Sequence, residues 1–203
     1  MYQPTVTNEE IELLETAVFP GRIMIITEEN ADYKYAIKQL KSQRIIGFDT
    51  ETKPVFVPHS PRNRTALLQL SSEDEAFLFR LPNLGLPKDL ARILADKNIT
   101  KVGAAVNDDI NGLRRYTDFQ AARFMDLQQF GEKYGIQEKS VRKMSAIILK
   151  LRVSKSQQCS NWEAAELSPA QQQYAATDAW ICVKMYKKLL ASPQVPKEQD
   201  INQ

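Results

Sequence analysis

Cysteine is scarce in this chain of 203 residues: Cys159 and Cys182 are the only two, far apart and outside any CxxC spacing. Two such thiols build no disulfide framework and read as reduced, as in an intracellular protein. Charge of one sign is lacking too. Lys and Arg number 27 against 25 Asp and Glu, so a formal net charge of +2 gives no long-range basic field. Any surface for a polyanion must then come from local clusters. Long apolar runs are missing, "RIMIIT" being only strand-sized, which excludes the usual membrane-spanning helix. The start "MYQPTVTNEE" has neither the basic nor the apolar region of a secretion signal, and no repeat or low-complexity linker interrupts the sequence. A soluble, cytoplasmic chain is expected. Its single histidine, His59, lies in the loop "VPHSPRNR" and is given no role.

What is present suits one well-filled α/β domain: 43% hydrophobic and 26% charged residues. "TNEEIELLETAV" predicts a short helix capped by Thr7 or Asn8, within an N-terminal extension over 1–19. "RIMIIT" and "RIIGFDTE" predict strands on either side of a helix at "NADYKYAIKQLKS". "TALLQLSS" and "EAFLFRL" are close enough to pair as antiparallel neighbours. A helix with Pro87 at its first position, a strand at "TKVGAA" and helices at "NDDINGLRRY", "MDLQQFGEKYG" and "SVRKMSAIILK" follow. The last long helix starts at Ser168, Pro169 and Gln171 with a capping-box pattern. The main domain is expected over 20–190, with a mixed central sheet flanked by helices, and a polar tail over 191–203.

Chemistry is suggested by carboxylates. Residues two apart on a strand share a face, so Gly47, Asp49 and Glu51 point one way and Ile46, Phe48 and Thr50 the other. Gly47 leaves room beside the acids for something to approach. Two neighbouring carboxylates repel, and a hard divalent cation such as Mg²⁺ or Mn²⁺ relieves that; an edge strand ending at a wet surface is the plainer alternative. In "YAATDA", Tyr174 and Asp178 lie one helical turn apart on one face. In "VGAAVNDDINGL", a strand runs into a helix start carrying Asn107, Asp108 and Asp109, of which one is expected to cap the helix. A second carboxylate then remains near the sheet end.

In this order the three stretches resemble the motifs of the DEDD superfamily of 3′–5′ exonucleases, over roughly residues 20–190. "FDTE" is similar to the first motif, "VNDDINGL" to the second and "YAATDA" to the third, whose tyrosine marks the DEDDy branch. "TALLQL" and "CSNW" match the intervening filler, and the nearest likeness is to Werner-type exonuclease domains and ribonuclease D. The other branch carries histidine in place of that tyrosine, and His59 is far from the third motif. The resemblance implies a ribonuclease-H-like α/β fold with the first-motif strand in mid-sheet. It implies that Asp49, Glu51, Asp109 and Asp178 hold two divalent cations, Mg²⁺ or Mn²⁺, with Asp49 bridging both and Tyr174 orienting the attacking water. Aligned from Gly103, the second-motif acid is Asp109 and Asp108 the cap; a slip of one residue exchanges them. The implied reaction removes nucleoside 5′-monophosphates from the 3′ end of single-stranded or 3′-ended DNA or RNA. A silent relative that only binds nucleic acid, and a metal-independent acid–base hydrolase, are the rival readings.

Contacts to that strand are expected from Lys150, Arg152 and Lys155, the end of the basic stretch "EKSVRKMSAIILKLRVSKS". Lys139, Arg142 and Lys143 of the same stretch read equally well as a solvated helix face. Arg62 and Arg64, after the first motif, and Thr50, between its acids, complete the set. Trp162 is read as packing under the third-motif helix rather than stacking on a base, and Cys182 and Met185 as core.

Overall fold

The structure, a computed structural model, describes residues 1–56 and 63–195. Six strands form one sheet: β1 (Arg22–Ile26), β2 (Ile45–Thr52), β3 (Thr65–Ser71), β4 (Glu75–Arg80), β5 (Thr100–Gly103) and β6 (Phe124–Asp126), in the order β1-β4-β3-β2-β5-β6. The β2–β3 and β3–β4 pairs are antiparallel, the latter as expected from their short connection, and the β1–β4, β2–β5 and β5–β6 pairs are parallel. The strand carrying Asp49 and Glu51 is thus interior, between β3 and β5. An edge strand ending at a wet surface is excluded.

The two faces of the sheet bury different partners. Ile46, Phe48, Leu68, Leu70, Phe77 and Phe79 pack against helices α2 (Ala31–Lys41), α4 (Lys88–Ala95) and α5 (Val106–Arg114). Phe48 meets Phe124 edge-on at 5.0 Å between centroids. Each such side chain removed from water contributes about 1.5–3 kcal/mol, so this face is the anchor of the fold. The opposite face lies under α6 (Leu127–Glu132), α7 (Val141–Leu149) and above all α8 (Pro169–Leu190). Helix α8 starts where expected, with Ser168 and Gln171 forming the capping box. Ala175, Ala176 and Ala179 are fully buried and let its backbone come close to the strands. Gly47 is the other half of that fit: a Cβ there would stand 1.9 Å from the carbonyl oxygen of Ala179. The room left by the glycine is filled by α8 itself.

The N-terminal stretch folds onto this second layer. Thr7 caps the short α1 (Asn8–Glu12) with a full capping box, and Ile11, Ala17 and Phe19 join the core under α8. No helix among the described residues is long and apolar enough to cross a membrane.

Several local expectations are corrected. The expected helix at "MDLQQFGEKYG" begins as strand β6, Asp126 ending it and capping α6. A four-residue helix, α3 (Leu81–Leu84), follows β4 directly, and Pro87 is the N-cap of α4 rather than its first residue. Helix α5 starts earlier than its acids suggest. Its N-cap is Ala105, in the left-handed region at φ 56°, and neither Asn107, Asp108 nor Asp109 caps it. Asp126 Oδ1 accepts the Ala105 N–H at 3.3 Å, so a neighbouring strand end holds this turn and frees the acids.

Candidate active site

The site is built where β2 leaves the sheet. Pairing with β3 keeps Asp49 opposite Gln69 and Glu51 opposite Leu67, and the register then slips before Thr52. A slip of this kind ends pairing and re-aims side chains. Helix α8 crosses at Gly47 and brings Asp178 over the strand. One oxygen from each of Asp49, Glu51 and Asp178 then lies within 4.8 Å of the other two. Residues 127 or more apart in sequence meet because a glycine and an alanine let two backbones touch.

The electrostatics are unfavourable as they stand. Asp49 is pushed well above the usual carboxylate range by burial, then by Asp178, Glu51 and Asp109 in turn. Burial with Asp178 and Asp109 raises Glu51 to about 9. Asp178, also enclosed, rises to about 7 although the Tyr174 hydroxyl counters the shift. Asp178 Oδ1 has no hydrogen-bond partner among the described residues. Clustered carboxylates of this kind bind protons or a cation, since neither solvent nor a basic side chain neutralises them. Three carboxylate oxygens at this spacing could hold a hard divalent cation.

Asp109 stands beside the cluster rather than in it. It projects from the first turn of α5, is partly buried, and accepts the Thr50 Oγ1–H at 2.5 Å. Burial raises it to about 6, the Thr50 hydrogen bond working against that rise. Asp108, its neighbour, is exposed to solvent. Tyr174, one turn before Asp178 on α8, has its phenol pushed upward by burial and then by Asp178, Glu51 and Asp49. Its ring leans on Trp162 at 6.0 Å between centroids. Trp162 is fully buried, so packing is its role here. Cys182 and Met185 are core as expected.

The residues expected to touch nucleic acid divide. Thr50 and Lys155 line a cavity of about 290 Å³ with Asp49, Glu51, Tyr174 and Asp178. Thr50 also lines a larger one of about 570 Å³ beside Asp109, walled by Lys53, Asn111 and Arg115. Lys150 caps the C-terminus of α7 and is exposed, away from both. The Arg152 guanidinium is engaged by Glu12 and Thr16. Arg64 stacks on Tyr116, 4.3 Å from the ring centroid, and donates to the Arg115 carbonyl. Arg62 lies outside the described residues, as does His59.

Some site residues escaped the sequence reading. Gln69, fully buried opposite Asp49, has neither amide atom paired among the described residues. A lone amide in the apolar run "TALLQLS" was the available signal. Arg142, read equally as a phosphate contact and as part of a solvated helix face, lines the carboxylate cavity.

Comparison with known proteins decides the family. The family model described as 3′-5′ exonuclease matches residues 24–192. The chain belongs to the 3′–5′ exonuclease family. It is 32% identical over 197 residues to the bifunctional 3'-5' exonuclease/ATP-dependent helicase WRN of Mus musculus, covering 92% of this chain and 14% of that protein. To exonuclease 3'-5' domain-containing protein 2 of Drosophila melanogaster it is 33% identical over 177 residues, 83% of this chain and 30% of the relative. The chain therefore spans less than a third of either relative. Trypanosoma brucei RNase D, solved in complex with RNA U12, superposes with a TM-score of 0.75 at 19% identity, covering 96% of this chain and 68% of that one. The ribonuclease-H-like exonuclease fold is thereby shown.

Proposed function

We propose that this chain is a metal-dependent 3′–5′ exonuclease of the DEDDy type that shortens a nucleic-acid strand from its 3′ end. The observation that carries this reading is the meeting of Asp49, Glu51 and Asp178 within 4.8 Å, with Asp109 and Tyr174 facing them. Asp49, Glu51 and Asp178 are the residues that would hold a pair of divalent ions, and Asp109 would complete the set. Bound there, the ions supply Lewis-acid activation of water and charge stabilisation at the leaving 3′ oxygen.

The chain's own groups do the rest. The Tyr174 ring leans on Trp162, and its hydroxyl, near Asp178, would orient the attacking water. Its high pKa keeps it a donor at neutral pH. The Thr50 hydroxyl fixes Asp109, so this carboxylate does not swing into the α5 cavity. The two cavities meet at Thr50, giving the terminal nucleotide and the next phosphate separate places. Lys155 supplies positive charge on the wall of the smaller one. That the trypanosomal neighbour was solved with RNA supports a nucleic-acid substrate.

The test is digestion of matched 5′-labelled DNA and RNA oligomers with Mg²⁺ or Mn²⁺. A ladder shortening stepwise from the 3′ end, abolished by EDTA, is expected. Intact oligomers that are nevertheless bound would favour the silent relative, and cleavage surviving EDTA would favour acid–base hydrolysis.

A further inference from the structure

Beside the carboxylate cavity lies a third cavity of about 390 Å³, lined by Glu12, Thr16, Arg142, Arg152, Ser154 and Lys155. Arg142, Val153, Ser154 and Lys155 line both cavities, so the two adjoin. Two guanidiniums face this stretch, and a single carboxylate holds both: Glu12 Oε1 accepts from Arg142 and Oε2 from Arg152. Arg142 is only 15% exposed and Arg152 32%, whereas Glu12 is 56% exposed. The cations are built into the wall. The anion is the exposed member.

A carboxylate accepting one hydrogen bond on each oxygen from two arginines imitates two oxygens of a phosphodiester. We propose that Arg142 and Arg152 form a subsite for a backbone phosphate of the bound strand, and that the Glu12 carboxylate occupies it until the strand arrives. This rests on the exonuclease reading, which supplies the strand and places its end at the carboxylates.

Releasing Glu12 does not undock the segment that carries it. Ala17 N–H donates to the Arg152 carbonyl and Arg152 N–H to the Glu15 carbonyl, each at 2.8 Å, and Ile11 is fully buried. The Glu12 side chain can turn into solvent while the backbone stays. An exposed ion pair is weak enough for a phosphate to displace, and its persistence without substrate keeps the two arginines from repelling each other.

The experiment is anisotropy of a 5′-labelled single-stranded oligomer in EDTA, so that binding is read without cleavage. Glu12→Gln is expected to tighten binding about two- to fivefold at low salt, the gain fading as salt rises. Glu15→Gln, three residues on and without an arginine partner among the described residues, serves as the control for bulk charge and is expected to change little. Adding Arg152→Gln to Glu12→Gln should erase the gain. The thermal midpoint of Glu12→Gln should stay near that of the parent, and Glu12→Ala should repeat the gain. Unchanged or weaker binding by Glu12→Gln, or an equal gain from Glu15→Gln, would overturn the subsite while leaving the exonuclease reading standing. Failure of the parent and of Glu12→Gln alike to bind any oligomer would also overturn the subsite, while the exonuclease reading is judged by the metal-dependent digestion.

Discussion

The two faces of β2 carry opposite designs on alternate residues. Ile46 and Phe48 face α2, α4 and α5 in a close-packed apolar layer, whereas Gly47, Asp49 and Glu51 face α8 in a layer whose centre is acid. The first layer is built of apolar side chains, with the Tyr33 hydroxyl buried among them. In the second, every carboxylate is held above its ordinary pKa, and burial is the largest cause each time. A protein can keep such a strained patch because the opposite face of the same strand fixes it in place. The contrast teaches that one strand can set a close-packed apolar half beneath an acidic, electrostatically strained one.

Substitutions should separate the halves. Asp49→Asn is expected to lower turnover about a thousandfold, as loss of a central charge-stabilising group does. It should raise the thermal midpoint in EDTA, because one of the mutually repelling charges is gone; oligomer digestion and calorimetry read the two effects. Gly47→Ala acts on the packing instead, its methyl striking the Ala179 carbonyl, 1.9 Å away. A loss of about 3 kcal/mol in urea unfolding, with activity falling because Asp178 is pushed off, is expected. Tyr174→Phe keeps the ring on Trp162 and removes only the hydroxyl, so kcat should drop about a hundredfold with little change in stability.

Acidity gives a gentler test. The folded site retains protons that the unfolded chain sheds above its carboxylate pKa of about 4. Stability in EDTA is therefore full below about pH 4 and declines as pH rises through the raised values, to about 7 for Asp178 and about 9 for Glu51. A midpoint falling between pH 5 and 9 in EDTA, and falling less with Mn²⁺ present, is expected. A flat profile in EDTA would remove the strain from the account. Smallest is Thr50→Val, which leaves Asp109 without its donor: about 1 kcal/mol of stability and a modest loss in kcat/KM, read by unfolding and by digestion.

Much of this was legible in the sequence because the signals were local. Alternation along "GFDTE" put Asp49 and Glu51 on one face, and the turn spacing of "YAATDA" put Tyr174 beside Asp178. Other features depend on partners far along the chain. Ala105 became a helix cap because Asp126, on another strand, holds its N–H. Three residues of β6 are too few to show a period. Gly47 looked like room for a ligand, since only the fold shows that α8 lies there. Glu12 meets Arg142 and Arg152 across 130 residues or more, and nothing in "NEEIELLET" marks that acid from its neighbours.

The proposed centre for divalent cations is made by carboxylates of β2 and α8, with Asp109 of α5 beside them. Calorimetric titration of Mn²⁺ into the parent, Glu51→Gln, Asp178→Asn and Asp108→Asn tests it most directly. The parent and Asp108→Asn should bind alike, while Glu51→Gln and Asp178→Asn each lose most of the affinity. A parent that takes up no Mn²⁺, or an Asp178→Asn variant that binds it as the parent does, would contradict the claim.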